Sequence, residues 1–422
     1  MKTFCQHTLR LLLLLGLICG SSPVNAQETM ETDSAYITVS GTVKDKQSKK
    51  RLEYVNISVP GSNVGTITNS EGEFSIKVRQ SLRAKTLEIS HLGYLNTLIP
   101  IDGKDITDLN VRMTPSSNVL SEVIIRAQDP RYIVLQAMQK IGSNYSPKGN
   151  LLTGFYRETA QKGRRYINIS EAIIDIYKTP YTDQKVDRDR VQIYKGRKIL
   201  SQKRSDTLIV KLLGGPTLSV YVDIVKNPDL LLAPEELAYY AFYLEESVML
   251  NDRPHYVISF EPKAILPYAL YYGKLYIDKE RLSFTRAEFS LSMDDRNKAA
   301  QAILKKKPFG LRFKPVEVSY LITYKENQGI TYLSYIRNEV RFKCDWKRKL
   351  FSTNYAIVSE MVVTDGKEQT SGIPYRMAFK ANQSLSDKVS NFTDEDFWGA
   401  YNIIEPTESL ETAVTKLKKQ HK

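Results

Sequence analysis

Cysteine is scarce: Cys5, Cys19 and Cys344 are the three in 422 residues. The first two precede an expected cleavage point, so the processed chain keeps Cys344 alone. One thiol excludes an intramolecular disulfide, and stability has to come from buried apolar surface. Histidine is also scarce, and the processed chain keeps His91, His255 and His421. None stands in a His-Glu-x-x-His pair, so a zinc-hydrolase motif is absent. Neither a Gly-x-Ser-x-Gly nucleophile elbow nor a phosphate-binding glycine loop is present. No apolar run after residue 26 is long enough to cross a bilayer as a helix.

The N-terminus carries an export signal. Lys2, His7 and Arg10 form a basic start, Leu11 to Cys19 is almost unbroken apolar sequence, and Val24-Asn25-Ala26 sets up a cut before Gln27. A rival reading makes Cys19 a lipid-anchored cysteine. Ile18 precedes it where lipoprotein processing takes a small side chain, so cleavage after Ala26 is the favoured reading. The expected location is the periplasm or the periplasmic face of the outer membrane. The remaining length suits two domains, or three small ones.

The formal charge is +13. Such an excess suits anionic lipid or an acidic envelope polymer, but the positive residues are scattered, which reads first as a basic protein that simply stays soluble. Lys305-Lys306-Lys307 and Lys347-Arg348-Lys349 read as solvated turns. No nucleic-acid motif is present, and no nucleic-acid partner is expected.

From Ile37 the chain alternates with the two-residue rhythm of half-buried strands: Val55, Ile57 and Val59, then Phe74, Ile76 and Val78. Gly72 closes a turn after Asn69-Ser70-Glu71. Val39 to Val43, Val55 to Gly61, Gly65-Thr66, Asn69 to Phe74, His91-Leu92-Gly93-Tyr94 and Val111-Arg112-Met113 occur in order. This run resembles the carboxypeptidase regulatory-like domain, which implies a seven-stranded transthyretin-like β-sandwich over residues 37–114 after a linker at 27–36. That domain is a non-catalytic accessory, so the name implies no peptidase. Leu120 to Ile125, within a connecting strand at 115–127, resembles the strand that follows such domains in TonB-dependent outer-membrane receptors. No plug and barrel sequence follows it here.

Residues 128–390 read as a larger, curved antiparallel β domain with a few helices. Asp129-Pro130 opens a helix to Gly142, with Ile133, Val134, Ala137, Met138 and Ile141 as its apolar stripe. Strands follow at Tyr166–Ile169, Glu171–Ile176, Tyr256–Phe260, Lys274–Ile277, Ala287–Leu291, Val316–Tyr324 and Ile330–Asn338. A short helix is expected from Pro234 to Tyr240, another over Asp294–Lys306, and a tight loop at Gly214-Gly215-Pro216. Gly154 to Glu158, Ser170-Glu171-Ala172, Gly196-Arg197-Lys198 and Gly273 to Asp278 resemble a module found beside regulatory-like domains in Gram-negative envelope proteins. The strand, turn and Gly-x-Leu-Tyr-Ile-Asp order also resembles the half-barrel of periplasmic lipoprotein carriers.

Candidate functional residues are few. Arg157, Arg197 and Lys198 suit a phosphate or carboxylate ligand, or else structural pairing with a nearby Glu. Glu158 with Glu171, and Asp294 with Asp295, are the carboxylate pairs to weigh for glycoside hydrolysis. Cys344 reads as a small buried side chain rather than a nucleophile. Phe397, Trp398 and Tyr401, interleaved with acids, read as an aromatic anchor opening the tail 391–422. Pro406 and Thr407 then start a helix with Leu410, Val414 and Leu417 on one face, which rests on a membrane or packs on its own domain.

No cofactor, metal or enzymatic activity is expected. Three functions remain open: an exported binding or scaffold protein attached through its sandwich to an envelope partner, such as an outer-membrane uptake or assembly complex; a periplasmic lipid or lipoprotein carrier; and a hydrolase of glycan or peptide.

Overall fold

The computed structural model describes residues 35–116, 129–183, 185–206, 210–212, 214–346, 352–392 and 397–421. The export signal, the strand expected at Leu120 to Ile125 and the basic turn at Lys347 to Lys349 lie outside the described residues.

Seven strands make the N-terminal part: β1 (Tyr36–Asp45), β2 (Asn56–Ser58), β3 (Gly65–Ile67), β4 (Glu73–Arg79), β5 (Thr86–Ser90), β6 (Thr97–Pro100) and β7 (Ile106–Met113). They form two sheets, β4-β1-β7 and β3-β2-β5-β6. Val39 and Val43 of β1, Ile57, Phe74, Ile76, Leu87 and Ile89 meet between them with no more than 1% exposure. The alternation legible in the sequence is therefore the inward half of each strand. β7 lies parallel to β1, and the chain bulges between Val39 and Gly41. A Cβ on Gly41 would sit 2.1 Å from the Leu109 carbonyl oxygen, so only glycine permits this approach.

The larger part holds β8 (Asn150–Lys162), β9 (Arg165–Lys178), β10 (Arg190–Leu200), β11 (Lys211–Leu212), β12 (Tyr240–Leu250), β13 (Arg253–Pro262) and β14 (Tyr271–Asp278). After them come β15 (Phe284–Leu291), β16 (Leu304–Lys306), β17 (Leu311–Asn327), β18 (Ile330–Trp346), β19 (Thr353–Glu368) and β20 (Ser390–Asn391). β11 and β16 pair with each other, and the rest form one 11-stranded sheet in the order β12-β13-β14-β15-β17-β18-β19-β8-β9-β10-β20. Every pairing in it is antiparallel except β10 with β20 at the edge.

Register gives this sheet two unlike faces. On one, Ile258, Leu275, Ala287, Ile322, Ile336, Met361, Tyr156 and Ala172 stand opposite one another in a continuous cross-strand row. They are buried in one apolar core under Ile133, Val134 and Ala137 of helix α1 (Pro130–Gln139) and the chain around Leu231, Leu232 and Leu237. The opposite face carries the sandwich and the C-terminal tail. Ile67 of the sandwich, Phe155, Ile173, Tyr335 and Val362 of the sheet, and Trp398 and Ile404 of the tail form one apolar cluster.

The helices correct several expected boundaries. Asp129 caps α1 by accepting from the Arg131 backbone N–H at 2.9 Å, but α1 ends at Gln139 and Gly142 lies inside a second short helix, α2 (Ile141–Asn144), rather than terminating the first. Gly215, at φ 87°, turns the chain into α3 (Pro216–Tyr221), where only a loop was expected. The helix expected over Asp294–Lys306 is the shorter α4 (Arg296–Ile303), because Leu304–Lys306 pair with β11 as a strand instead. The last helix, α5 (Glu408–Lys418), is capped by Thr407 and buries Leu410 and Leu417 against Ile169 and Ile199 of the sheet.

A closed ionic network ties the loops over the apolar face. Lys178 Nζ lies 2.8 Å from Asp223 Oδ2 and 3.1 Å from Asp189 Oδ2. Tyr181 and Tyr324 donate to the two Asp223 oxygens at 3.0 and 2.7 Å. Lys226 Nζ donates to the Pro180 carbonyl at 2.6 Å. Burial, with Asp223 beside them, holds both tyrosine hydroxyls well above their ordinary value. Burial of Lys178, Asp189 and Asp223 is tolerated because the cation lies between the two carboxylates, while the Lys226 ammonium rests on backbone carbonyls.

Candidate binding cleft

One residue along from the apolar row, on the other face, runs a row of alternating charge. Lys274 faces Glu288, Glu288 faces Leu321, Leu321 faces Arg337, Arg337 faces Glu360, Glu360 faces Arg157, Arg157 faces Glu171 and Glu171 faces Arg197. Cross-strand neighbours of opposite sign stabilise a sheet, and here the sign changes at nearly every strand. The middle of the row lies beneath the sandwich and tail, and the charged groups reach open clefts on either side.

Tyr54 of the sandwich marks the boundary. Its hydroxyl accepts from Arg337 Nε at 2.9 Å, and its ring stacks on Tyr335 at 5.7 Å between centroids. Arg337 also pairs with Glu339 at 2.9 Å, and Glu339 is shared with Arg341. Tyr335 donates to Glu360 at 2.8 Å. Tyr54, Arg337 and Glu339 line two clefts. One, of about 740 Å³, runs between the sheet and the tail past Arg157, Arg164, Arg341, Glu360, Glu405 and Thr407. The other, of about 1150 Å³, passes Lys274, Arg286, Glu288, Ser290, Ser319 and Tyr272. Both linings mix cations, carboxylates, hydroxyls and tyrosines. Glu405 is pushed above the usual carboxylate range by burial, against the opposing pull of Arg157 and Lys77.

The expected anion site takes a different form. Arg157 Nε and Arg197 Nε grip the two oxygens of Glu171 at 2.8 and 3.0 Å, and Arg157 also donates to the Ile404 carbonyl at 2.8 Å. Lys198 follows Arg197 in β10 and projects to the other face, where its ammonium meets the Ser386 carbonyl. Strand alternation thus forbids the three from converging on one ligand. The same rule separates the Glu158 and Glu171 carboxylates. Glu171 pairs with Arg157, while Glu158 lies on the Tyr156 side and accepts from its hydroxyl at 3.1 Å. Asp295 caps α4, and Asp294 accepts from Ser292. Cys344 is 5% exposed within β18. His91, His255 and His421 lie in three separate places: at the sandwich–sheet boundary, opposite Asp278, and beside Leu200.

Phe397, Trp398 and Tyr401 fold back on the body. Trp398 is 6% exposed and meets Phe155 edge-on at 5.4 Å, and Phe397 meets Trp398 at 4.7 Å. Tyr401 packs on Tyr194 at 5.6 Å. The Arg197 guanidinium lies over the rings of Phe392, Phe397 and Trp398 at 4.1, 5.5 and 4.8 Å. The tail also clamps the sandwich: Asn402 exchanges hydrogen bonds with the Lys77 backbone at 2.6 and 3.0 Å, and Thr66 donates to the Ile403 carbonyl at 2.8 Å.

Tyr54, Arg337, Glu339 and Glu360 escaped the sequence reading. A signal existed in Tyr335-x-Arg337-x-Glu339-x-Arg341-x-Lys343, a strand face bearing charge of both signs.

Residues 39–125 match the CarboxypepD_reg-like domain family. A curated relative, TonB-dependent receptor P3 of Formosa agariphila, is 26% identical over 162 residues, which is 38% of this chain and 15% of that protein. The chain therefore spans about 15% of the length of the receptor it matches. Among solved structures, a DUF1329 family protein from Desulfovibrio piger aligns with 56% of this chain and 94% of its own, at 10% identity and a TM-score of 0.23. A LolA superfamily protein from Nitrosomonas europaea aligns with 58% of this chain and 97% of its own, at 11% identity and a TM-score of 0.21. The chain carries a CarboxypepD_reg-like domain over residues 39–125, joined to a large, mainly β module.

Proposed function

We propose that the protein is a non-catalytic binding or scaffold component of the bacterial envelope, and that its clefts beside Tyr54, Arg337 and Glu339 receive an extended polypeptide segment of a partner. The observation that carries this reading is the two-signed charge of both clefts. A peptide carrying both charges can match such a lining, and electrostatic complementarity of this kind selects partners. The N-terminal signal and the partial kinship with a TonB-dependent receptor support an envelope location. The paired, structurally engaged state of Glu171, Asp294 and Asp295 supports a role without catalysis.

The carrier reading needs an apolar opening for acyl chains. The sheet's apolar face is filled by the α1 side chains and the chain around Leu231, and the two clefts are charged, which favours the binding reading.

Native mass spectrometry of the chain from Gln27 onward, isolated gently from its own envelope, tests this. A stoichiometric protein partner is expected for the wild type and its loss for Ser319→Trp, which fills the cleft from the sheet floor. A partner retained by that variant would sink the assignment of the larger cleft, the one Ser319 lines. A persistent lipid adduct would put the carrier reading first.

A further inference from the structure

Ile265 and Phe309 are 95% and 97% exposed. Among the described residues the next most exposed large apolar side chain is Tyr375, at 66%. Isolated apolar residues on a surface are ordinary, but these two share one end of the sheet. Ile265 lies between the end of β13 at Pro262 and the start of β14 at Tyr271. Phe309 lies just before the start of β17 at Leu311. β14 begins opposite the end of β15, with Tyr271 facing Leu291, and β17 pairs antiparallel with β15, so both loops leave the sheet on the same side.

Both loops stand on one support. Lys298 of α4 donates to the Leu266 carbonyl at 2.6 Å, and Ala269, Leu291, Ala299, Ile303 and Leu311 pack together beneath them. Gly310, at φ 80°, permits the sharp Pro308-Phe309-Gly310 turn that lifts the phenyl ring outward. Lys263, Lys305, Lys306 and Lys307 flank the two tips. Lys305 and Lys307 reach backbone carbonyls, Ala381 and Leu311, at 2.6 and 2.8 Å, contacts that leave the net positive charge in place. Carboxylates also stand near this end: Asp295 caps α4, Asp294 accepts from Ser292, Glu236 accepts from Tyr268 at 3.1 Å and Glu261 from Tyr243 at 3.0 Å.

We propose that this end of the sheet docks on an anionic bilayer surface, with Ile265 and Phe309 entering the acyl boundary and the lysines resting among the head groups. Apolar tips ringed by lysine fit that interface, where burial of the tips and attraction of the charges act together. Ile265 and Phe309 line neither cleft, although the larger cleft reaches Pro262 and Asp294 at the same end, and the cleft variant below tells the two assignments apart.

Co-sedimentation of the chain from Gln27 onward with phosphatidylethanolamine–phosphatidylglycerol vesicles tests it, with pure phosphatidylcholine as the comparison. The wild type is expected to pellet with the anionic vesicles and less with the neutral ones. The Ile265→Ser/Phe309→Ser variant, changed only at exposed positions, should keep its thermal transition and lose roughly tenfold or more in partitioning. The Ser319→Trp cleft variant should pellet like the wild type. A Phe309→Trp variant should show fluorescence quenched by brominated acyl chains. A wild type that stays in the supernatant, a double variant that pellets equally, or a Phe309→Trp fluorescence untouched by brominated lipid would each overturn the proposal. So would self-association removed by the double variant without vesicle binding, which would assign the tips to a second copy of the chain.

Discussion

Arg157 and Glu171 face each other across β8 and β9 as an ion pair 2.8 Å long, with side chains only 5% and 3% exposed. Glu171 also holds Arg197, so one carboxylate answers two guanidinium groups. Glu171→Ala leaves Arg157 buried without its counter-charge, and the expected loss is about 3–5 kcal/mol in urea unfolding. Arg157→Met combined with Glu171→Met should lose less than Glu171→Ala alone. A double variant worse than the single would show that the pair adds net stability.

Trp398 closes the apolar cluster joining tail, sheet and sandwich. Trp398→Ala should cost about 3–5 kcal/mol. It should also speed tryptic release of the segment holding Lys416 and Lys418, since Trp398 packs on Phe155 beside the chain leading into α5. Unchanged proteolysis would mean that the Asn402 and Thr66 hydrogen bonds hold the tail alone.

Burial at the sandwich–sheet boundary, with Arg286 nearby, lowers His91 from 6.5 to about 4. The folded state thus resists protonation. The stabilising contribution is complete above pH 6.5 and is lost as pH falls toward 4, by an amount on the order of 2 kcal/mol after allowance for partial exposure. Glu158, Asp175 and Glu405 are raised by burial and act in the opposite sense, so the readout is a difference. His91→Gln should flatten the wild type's stability slope between pH 6.5 and 4. Parallel curves for the two proteins would remove His91 from the boundary's acid response.

Burial and the neighbouring Asp345 push the Cys344 thiol up to about 11. The native protein should therefore react slowly with an aromatic disulfide reagent at neutral pH, and the urea-unfolded chain promptly. Prompt native labelling would show that β18 opens locally.

The sandwich and most strands were legible because the two-residue rhythm is local: Glu73–Arg79 shows it within one element. The tail helix was legible too, since Thr407, Leu410 and Leu417 carry their own cap and stripe. Pairing is not local. Nothing in the sequence around Arg197 and Lys198 says which of them faces Glu171; strand alternation and the β9 register decide it. Nor could Asp294–Lys306 announce that its last turn is captured by Lys211–Leu212 as a strand. The Lys178–Asp223 network depends on Tyr181 and Tyr324, which are far apart in the chain and meet only when the loops close.

The clamp between tail and sandwich also sets an order in time. Thr66 reaches Ile403 across 337 positions of chain, and Lys77 reaches Asn402 across 325. The sandwich, made first, can close its own core early, because its strands pair within residues 36–113. Its seat on the sheet is finished only when residues 397–410 emerge, so docking is a late, high-contact-order step. Until then the face bearing Phe155, Tyr335 and Val362 lacks the Trp398 and Ile404 side chains that complete its cover, and an incompletely covered apolar face is what draws a folding chain into association.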